Sequence, residues 1–168
     1  MPAPAELQGG ESAGTGESWR TRLTRWGFNW FPAYRGTGAR IEHIAADWSE
    51  VRIRVPLSWR TRNYVGTIFG GSMYGAIDPI YMIMLIKRLG PGYEVWDKAA
   101  TIRFRRPGRS TLRATFRVGV EELEAIRAAV ARDGRHEHRF TVDLVSAAGE
   151  TTASCEKLLS VRRQGAQP

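Results

Sequence analysis

Cysteine is nearly absent from this chain, and residues 1–18 contain no recognisable export signal. The single cysteine, Cys155, excludes an internal disulfide and is typical of proteins from a reducing compartment. Residues 1–18 are small, polar and glycine-rich without an apolar stretch, which predicts a disordered tail. The remaining length fits one domain over residues 19–163, with a short tail over residues 164–168. We therefore expect a single-domain cytoplasmic protein.

Lysine is scarce, although the chain is strongly basic. All but three of the 25 basic residues are arginines, the exceptions being Lys87, Lys98 and Lys157, and the formal net charge is +8. Clustered cations favour nucleic acids through counterion release. These arginines are instead spread along the whole chain, and no DNA- or RNA-reading motif accompanies them. We expect no nucleic-acid partner, whereas a smaller anion with several phosphates remains open.

The sequence also lacks a convincing metal site or nucleophilic triad. His136 and His138 flank Glu137 at strand spacing, so the imidazoles share a face, but no third ligand accompanies them. No Ser-His-Asp order is convincing, and Cys155 lies in a predicted strand without a neighbouring base. We expect neither kind of site.

A basic amphipathic helix follows the predicted tail. Trp19, Leu23, Trp26 and Trp30 recur at helical spacing with arginines between them, and Pro32 ends the helix. Such a helix can lie on a membrane surface, but an aromatic stripe more often packs on its own domain or against a second subunit. We expect packing of that kind rather than membrane association.

Six strands and a short helix account for most of the remaining chain. Residues 51–55 alternate as in a half-buried strand, and this segment is predicted to pair with the one before it. YEVWDKAATIRFRRP and STLRATFRVGV repeat the alternation, with Pro107 and Gly108 as the turn between them. EELEAIRAAVARDG has the helical period, and the last two strands turn near Ala148 and Gly149. The predicted order is helix, two strands, long helix, two strands, short helix, two strands.

The long helix, over residues 72–86, is apolar on nearly every side. A membrane span is excluded because this length reaches only about 22 Å, short of a hydrocarbon core of about 30 Å. The helix is therefore predicted at the centre of the domain, wrapped by an antiparallel sheet, with its remaining faces buried against a second subunit. Pro79 has no N–H for the carbonyl of Gly75, so the helix should kink there.

Asp78, directly before this proline, is an acidic side chain inside an apolar run. A buried carboxylate is costly, so it should have a hydrogen-bonding partner or a cavity beside it. A structural role, capping a backbone donor or pairing with an arginine such as Arg103, fits the residues equally well. Gly70 and Gly71 form either a tight turn or a helix start whose free N–H groups a ligand can approach.

These residues resemble a motif of the hotdog-fold acyl-CoA thioesterases, in particular the phenylacetyl-CoA type. The family pattern is N-x-x-G-x-x-H-G-G, followed seven residues later by an acidic residue in the central helix. The matching residues here are Asn63, Gly66, Gly70, Gly71 and Asp78. The strand pattern over residues 45–161 is similar to this fold as well. NYVGTIFGG, VWDKA and the inserted helix are closer still to an uncharacterised bacterial hotdog family known only as a domain of unknown function.

The resemblance implies an α+β hotdog fold, assembled as a homodimer or homotetramer, with an acyl-CoA or similar thioester bound in a tunnel at the dimer interface. Asp78 would act as general base or nucleophile, the N–H groups of Gly70 or Gly71 would bind the thioester carbonyl, and Asn63 would hold the attacking water or the carboxylate. Coenzyme A would enter as part of the substrate, and no other cofactor or metal is implied.

Position 69 departs from the family pattern, because Phe69 replaces the histidine that would orient the thioester. Two functions are therefore predicted: hydrolysis of acyl-CoA thioesters, or binding of acyl-CoA or lipid without cleavage, the latter with membrane association through the first helix. Phe69 and Gly66 belong to the expected substrate-binding set in either case.

Four arginines near the predicted turn are candidates for the phosphates of coenzyme A, although a solvated strand face explains them equally well. They are Arg103, Arg105, Arg106 and Arg109. Asp97 is the second candidate for the catalytic acid, and an ion pair between Asp97 and Lys98 is the simpler interpretation.

Overall fold

Six strands form one antiparallel sheet, and two consecutive helices from the middle of the chain pack against it. A computed structural model describes residues 16–165. The helices are α1 (Trp19–Trp30), α2 (Pro32–Gly36), α3 (Gly70–Ile77), α4 (Ile80–Leu89) and α5 (Val120–Asp133). The strands are β1 (Arg40–Ile44), β2 (Glu50–Val55), β3 (Tyr93–Phe104), β4 (Leu112–Arg117), β5 (Arg135–Val145) and β6 (Thr151–Arg163), in the sheet order β1-β2-β4-β5-β6-β3. The predicted order of elements is confirmed, with an additional short helix, α2, after the first helix and with the long helix divided into α3 and α4.

The predicted strand faces are confirmed in the sheet. Val51, Ile53 and Val55 on β2 are buried, as are Leu112, Ala114 and Phe116 on β4, while the alternate residues Arg52, Arg54, Arg113 and Thr115 are exposed. The apolar face packs against α3 and α4, and the arginines of the other face form ion pairs with Glu42 and Glu50. Alternation with a period of two was sufficient to assign these strands.

The segment around Pro107 and Gly108 joins two strands that are not neighbours. β3 pairs with β6 at one edge, whereas β4 lies between β2 and β5. The simple turn expected here is therefore wrong: the connection crosses from the edge of the sheet to its interior. Its backbone packs inward, because Ile68 N–H donates to Gly108 O at 2.9 Å, and a Cβ on Gly108 would lie 3.0 Å from Met73 Cε.

The short helix and the last hairpin are placed as predicted. α5 ends at Gly134, whose φ of +72° is accessible to glycine without strain. β5 and β6 pair antiparallel and turn through Gly149, which has a φ of +79° and whose N–H donates to Ser146 O at 3.0 Å. Local turn chemistry determined both boundaries.

The central helix is interrupted at Asp78 and Pro79, which confirms the predicted kink. α3 ends at Ile77 and α4 begins at Ile80. Buried side chains from both helices form the middle of the core, namely Met73, Ala76, Ile77, Ile80, Tyr81, Met84, Leu85 and Leu89. The opposite face of the helices is only half-buried within this subunit.

α1 begins at Trp19 as predicted, but its aromatic stripe does not pack on its own domain. Ser18 caps the helix through a capping box with Thr21, and Thr21 is the buried residue of α1. Trp19, Leu23, Trp26 and Trp30 are each more than half exposed. Packing of this stripe within the subunit is therefore a wrong expectation, because the helix presents its opposite face to the domain.

Residues 16–18, which the composition assigns to the tail, are bonded to the domain. The Glu17 carboxylate contacts Arg25 at 2.8 Å and accepts a hydrogen bond from Ile44 N–H, and Ala46 N–H donates to Gly16 O. The rest of the predicted N-terminal tail, residues 1–15, lies outside the described residues, as do residues 166–168. Within residues 16–165, no helix is both long enough and apolar enough to cross a membrane.

Candidate active site

Asp78 is located where the central helix breaks, and its carboxylate is half-exposed. Its N–H donates to Tyr74 O at 2.9 Å, so the residue still closes the last turn of α3. Pro79 offers no N–H to the carbonyl of Gly75, so the helical bond pattern fails here. The side chain of Asp78 is 44% exposed. Because the helix breaks here, the carboxylate of Asp78 reaches the surface of the subunit although the helix is part of the core.

Lys157 on β6 is the partner of Asp78. Lys157 Nζ lies 2.7 Å from Asp78 Oδ1 and 2.9 Å from Asp97 Oδ1, and the lysine side chain is only 1% exposed. From the sequence, an arginine such as Arg103 was also a candidate partner of Asp78. Arg103 is instead exposed on β3. Burial alone would lower the pKa of Lys157, but the two carboxylates outweigh burial and raise the pKa above its ordinary value. The lysine thus remains charged between two acids.

Asp97 forms the second side of this cluster. The expected ion pair between Asp97 and Lys98 is wrong, because consecutive strand residues point to opposite faces: Asp97 contacts Lys157, whereas Lys98 contacts Glu137 at 3.5 Å. Burial raises the pKa of Asp97; Lys157 opposes this shift, and the charge of Asp78 adds to it. Asp97 therefore holds a proton more readily than an ordinary aspartate.

Tyr74, one helical turn before Asp78, completes the cluster. Its hydroxyl donates to Asp78 Oδ1 at 2.8 Å, the same oxygen that Lys157 contacts. Burial and then the hydrogen bond to Asp78 raise the pKa of Tyr74, so the hydroxyl remains a donor. Both bonds use Oδ1 and none of these donors uses Oδ2. The carboxylate is thus held at one oxygen while the other is directed away from both donors.

An apolar hollow of about 770 Å³ lies beside Asp78, between α1, α2 and the break in the central helix. Asp78 is the charged residue among the described residues of its lining, which otherwise include Phe28, Phe31, Gly75, Pro79, Met82 and Ile83. Gly75 permits the close approach of α2, because a Cβ there would lie 2.9 Å from Thr37 Cγ2. The expectation of a bonding partner and a cavity beside Asp78 is met by this arrangement.

Asn63 lines a second hollow, of about 510 Å³, and Gly66 lies in the turn that follows Asn63. Asn63 Oδ1 accepts bonds from the N–H groups of Val65 and Thr67, and its amide donates to Thr67 Oγ1 at 2.9 Å. Gly66 has a φ of +81° inside this turn, which explains the glycine. These bonds fix the loop before α3, and the role of Asn63 toward substrate stays a prediction.

Gly70 and Gly71 form the first turn of α3, with Phe69 as its N-cap. A Cβ on Gly70 would lie 2.8 Å from Phe104 Cζ, and a Cβ on Gly71 would overlap the ring of Phe69. In this arrangement the two rings lie directly over the glycines, and a side chain at either position would displace a ring. The first N–H groups of a helix have no acceptor within the helix, so this turn presents donors at its positive end.

The four arginines near the crossover connection are all exposed, and they divide between different hollows. Arg105 and Arg106 line the second hollow together with Arg109, whereas Arg103 lies beside Arg105 in a smaller hollow on the sheet. Arg105 Nε donates to Ser154 Oγ at 3.0 Å, and Arg106 pairs with Glu150 at 2.7 Å. Their role in phosphate binding stays a prediction.

His136, His138 and Cys155, which were not assigned to a site from the sequence, have structural surroundings. His138 Nε2 lies 2.9 Å from Glu122 Oε1, and the rings of His136 and His138 share a face as predicted. Within residues 16–165, no group of three or more potential metal-ligating side chains occurs. Burial raises the pKa of the Cys155 thiol, which disfavours the reactive thiolate.

Lys157 and Tyr74 are the two residues of this cluster that sequence reasoning missed. On β6, Cys155, Lys157 and Leu159 share the buried face, so a lysine stands where alternation predicts an apolar residue. A lone cation on a core face implies an acidic partner, and this signal was present in the sequence. The sequence did not show which acidic residues are the partners, because Asp78 and Asp97 belong to other elements of the fold.

Comparison with known proteins establishes the fold. The family model described as "Domain of unknown function (DUF4442)" matches residues 20–161, and no curated protein sequence matches the chain. PA5026 from Pseudomonas aeruginosa, described as a protein of unknown function and "probable thioesterase", has a TM-score of 0.76 at 22% identity over 86% of this chain and 96% of its own. Thioesterase HI1161 from Haemophilus influenzae has a TM-score of 0.63 at 15% identity, over 92% of this chain and 99% of its own.

The PaaI protein from the phenylacetic acid degradation operon of E. coli has the same architecture. Its TM-score is 0.58 at 16% identity, over 88% of this chain and 93% of its own. At such identities these likenesses concern the fold alone. The α+β hotdog fold predicted from the sequence is confirmed.

Proposed function

The chain belongs to the DUF4442 family of hotdog proteins, and we propose that it hydrolyses acyl-CoA or similar thioesters at a site shared by two subunits, with Asp78 as general base. The observation that carries the proposal is a carboxylate, held by Lys157, in the wall of an apolar hollow of about 770 Å³. Solved structures of the same fold whose names include thioesterase support this chemistry.

The free oxygen of Asp78 is suited to take a proton. Lys157 and Tyr74 both bond Oδ1, which fixes the carboxylate and leaves Oδ2 for a water molecule. In the proposed step Oδ2 accepts a proton from water as the water oxygen attacks the thioester carbonyl. The C–O bond forms, the C–S bond breaks, and the sulfur leaves with the proton that Asp78 had accepted. The products are a carboxylic acid and a free thiol.

The negative charge that develops on the carbonyl oxygen requires donors that one subunit does not supply at Asp78. Asp78 lies seven positions after Gly71, which corresponds to about 10 Å along the helix at a rise of 1.5 Å per residue. The N–H groups at the start of α3 therefore cannot reach a carbonyl beside the Asp78 of the same chain. We infer that the partner subunit's Gly70 and Gly71 bind it there, where each such donor contributes about 3 kcal/mol.

The exposed edge of β3 supports this assembly. β3 is hydrogen-bonded to β6 and ends the sheet, and its twelve residues include the exposed and mostly uncharged stretch Trp96, Ala99, Ala100, Thr101 and Phe104. A long edge with few charges is a site for pairing with another strand. The other edge, β1, has five residues, of which several are polar or charged. We infer that two β3 strands pair antiparallel and join the two sheets.

The register of such a pair would bring the two halves of the site together. Antiparallel pairing centred on Ala100 places Phe104 opposite the partner subunit's Trp96, next to the partner subunit's Asp97. Within one subunit, Phe104 packs at Gly70, and Asp97 contacts the lysine that holds Asp78. The start of α3 in one subunit would then approach the partner subunit's Asp78, as the proposed chemistry requires.

The two hollows suggest how a thioester lies in the site. The acyl group would occupy the apolar hollow beside Met82 and Ile83, since burial of apolar surface favours this position. The phosphates of coenzyme A would lie toward Arg105 and Arg109 in the second hollow, whose walls are more polar and basic. The second hollow borders Gly70, so the phosphates would lie in the subunit that supplies the N–H donors, and the acyl group in the subunit that supplies Asp78.

A non-catalytic acyl binder is the second candidate, and Phe69 is the observation that favours it. The family pattern has a histidine at position 69 to orient the thioester. In this chain the position is occupied by Phe69, whose ring packs against Gly71. The ring adds an apolar surface and removes an imidazole donor. A protein of this kind would retain both hollows and bind acyl-CoA without releasing thiol.

We expect the wild-type protein to release thiol from acyl-CoA esters and Ile83→Trp to shorten the longest acyl group it accepts. A larger side chain at Ile83 fills the hollow, so kcat/KM for the longest accepted acyl group should fall about 10-fold or more. Thiol release measured over a series of chain lengths checks this. Ile86→Trp is the matched control, because Ile86 is 41% exposed on the same helix and does not line the hollow.

Acyl-CoA binding without thiol release from any ester would contradict hydrolysis and support the binder. If kcat/KM for the longest acyl group falls equally in Ile83→Trp and Ile86→Trp, the acyl group does not bind in this hollow.

A second prediction concerns the edge of β3. Ala100→Glu should give a monomer with at least about 100-fold lower thiol release, because like charges from two subunits would meet in the paired strands. Within one subunit the glutamate is tolerated, since Ala100 is exposed. Light scattering after size-exclusion chromatography gives the assembly, and Ala147→Glu in the exposed β5–β6 turn is the control. A fully active monomer would exclude a site shared between subunits.

A further inference from the structure

The outer face of α1 is apolar and faces away from its own domain. At 100° per residue, the stripe spans about 60° of the helix surface and lies opposite Thr21, which is buried. We call this stripe the aromatic face; its members are Trp19 (68% exposed), Leu23 (61%), Trp26 (63%) and Trp30 (55%). Three tryptophans and a leucine on one exposed strip are unusual for a surface without a ligand.

Guanidinium groups lie on the same surface as the tryptophans. Arg20 Cζ is 5.3 Å from the ring centroid of Trp19, and Arg35 Cζ is 4.8 Å from that of Trp30. The first turn of α1 contains no acidic residue, and the nearby Glu17 is shared between Arg25 at 2.8 Å and the largely exposed Arg22 at 3.7 Å. The aromatic face is therefore both apolar and positively charged, in a chain with a formal net charge of +8.

A second copy of the chain fits this surface less well than an anionic bilayer does. Two-fold contact of the aromatic face with itself would bring Arg20 and Arg22 near their own copies, with no free acidic residue on α1 to compensate. At a bilayer, tryptophan rings are favoured at the headgroup level, and arginines are attracted by anionic lipids.

We propose that the aromatic face of α1 docks on a lipid bilayer that contains anionic lipids. The helix lies in the plane of the interface, with the tryptophans among the headgroups and Arg20 and Arg22 at the phosphates. Gly27 and Phe31, which line the apolar hollow, are exposed beside this face. Docking thus places one side of the hollow at the membrane surface.

The test measures binding of the full-length protein to vesicles by co-sedimentation and by tryptophan fluorescence. Vesicles of phosphatidylcholine with about one quarter phosphatidylserine are compared with pure phosphatidylcholine vesicles. We expect tighter binding to the anionic vesicles, a blue shift of the tryptophan emission, and weaker binding as ionic strength increases. Leu23→Ser combined with Trp26→Ser should weaken binding by at least about 10-fold.

Two controls separate this face from general charge and from general exposure of tryptophan. Arg20→Gln with Arg22→Gln should lose about 5-fold in affinity per arginine, whereas Arg132→Gln with Arg139→Gln, which changes the net charge equally, should have a smaller effect. Trp59→Ser removes an 85% exposed tryptophan outside α1 and should leave binding unchanged. Because all these side chains are exposed, the variants should fold, which circular dichroism checks.

Absence of vesicle binding by the wild type overturns the proposal, as does an equal loss of binding in Trp59→Ser and Trp26→Ser. An assembly that becomes smaller in Trp26→Ser, without any vesicle binding, would assign the face to a second copy and also overturn it. Vesicle binding is measured without any substrate turnover. A failure of membrane docking is therefore distinguishable from a failure of the proposed thioester hydrolysis.

Discussion

Asp78→Asn should lower thiol release from acyl-CoA by about 10²–10⁴-fold, the range for removal of a general base. Asparagine keeps the size of the side chain and can still accept bonds from Lys157 and Tyr74 through its carbonyl oxygen. It cannot take a proton from water. The loss should therefore appear in kcat, with binding of acyl-CoA retained, and steady-state thiol release with equilibrium binding measures the two separately.

Asp97→Asn is the matched control for this variant. It removes one carboxylate from the same lysine, so the charge of the cluster changes equally, but Asp97 does not line the apolar hollow. Because burial raises the pKa of Asp97, its ionised form is disfavoured in the folded protein, and asparagine should cost little stability. Thiol release within about 10-fold of the wild type is expected. A greater loss in Asp97→Asn than in Asp78→Asn would transfer the catalytic role to Asp97.

Lys157→Met should have the largest effect on stability. Removal of one member of a buried ion pair costs about 3–5 kcal/mol, and the lower end applies here because Asp78 is half-exposed and partly screened by solvent. Two carboxylates are then left facing each other without a cation. Denaturant unfolding monitored by fluorescence or circular dichroism measures the loss of free energy.

The pH dependence of this variant gives a second measurement. The pKa of Lys157 is raised in the folded state, so its contribution to stability is fully present below about pH 10.5, the value for a free lysine, and is lost as pH rises through the folded value. On the alkaline side, the difference in free energy of unfolding between wild type and Lys157→Met should thus persist up to about pH 10.5 and narrow above it.

A triple variant separates charge from packing in this cluster. Lys157→Met combined with Asp78→Asn and Asp97→Asn leaves no buried charge, and neutral replacement of a whole ion cluster is often without cost. We expect it to recover most of the stability lost in Lys157→Met while remaining inactive. If the triple variant is as unstable as the single one, packing of the lysine stem, rather than its charge, stabilises the site.

The elements whose signals are local were predictable from the sequence. Alternation along β2 and β4, the glycines that end α5 and turn the last hairpin, and the break at Pro79 depend on near neighbours in the chain. The connection at Pro107 was wrong because its turn residues do not reveal which strands they join. The stripe on α1 was assigned to the wrong side because helical spacing identifies an apolar face without identifying what covers it.

By itself, the sequence determined the α+β architecture and the place of Asp78 in a broken core helix. Only the tertiary structure decided that Lys157 holds Asp78, that Asp97 is its second partner, and that the tryptophans of α1 face outward. The reason is physical: backbone periodicity is set by neighbouring residues, whereas an ion pair between α3 and β6, 79 positions apart, depends on how the elements pack.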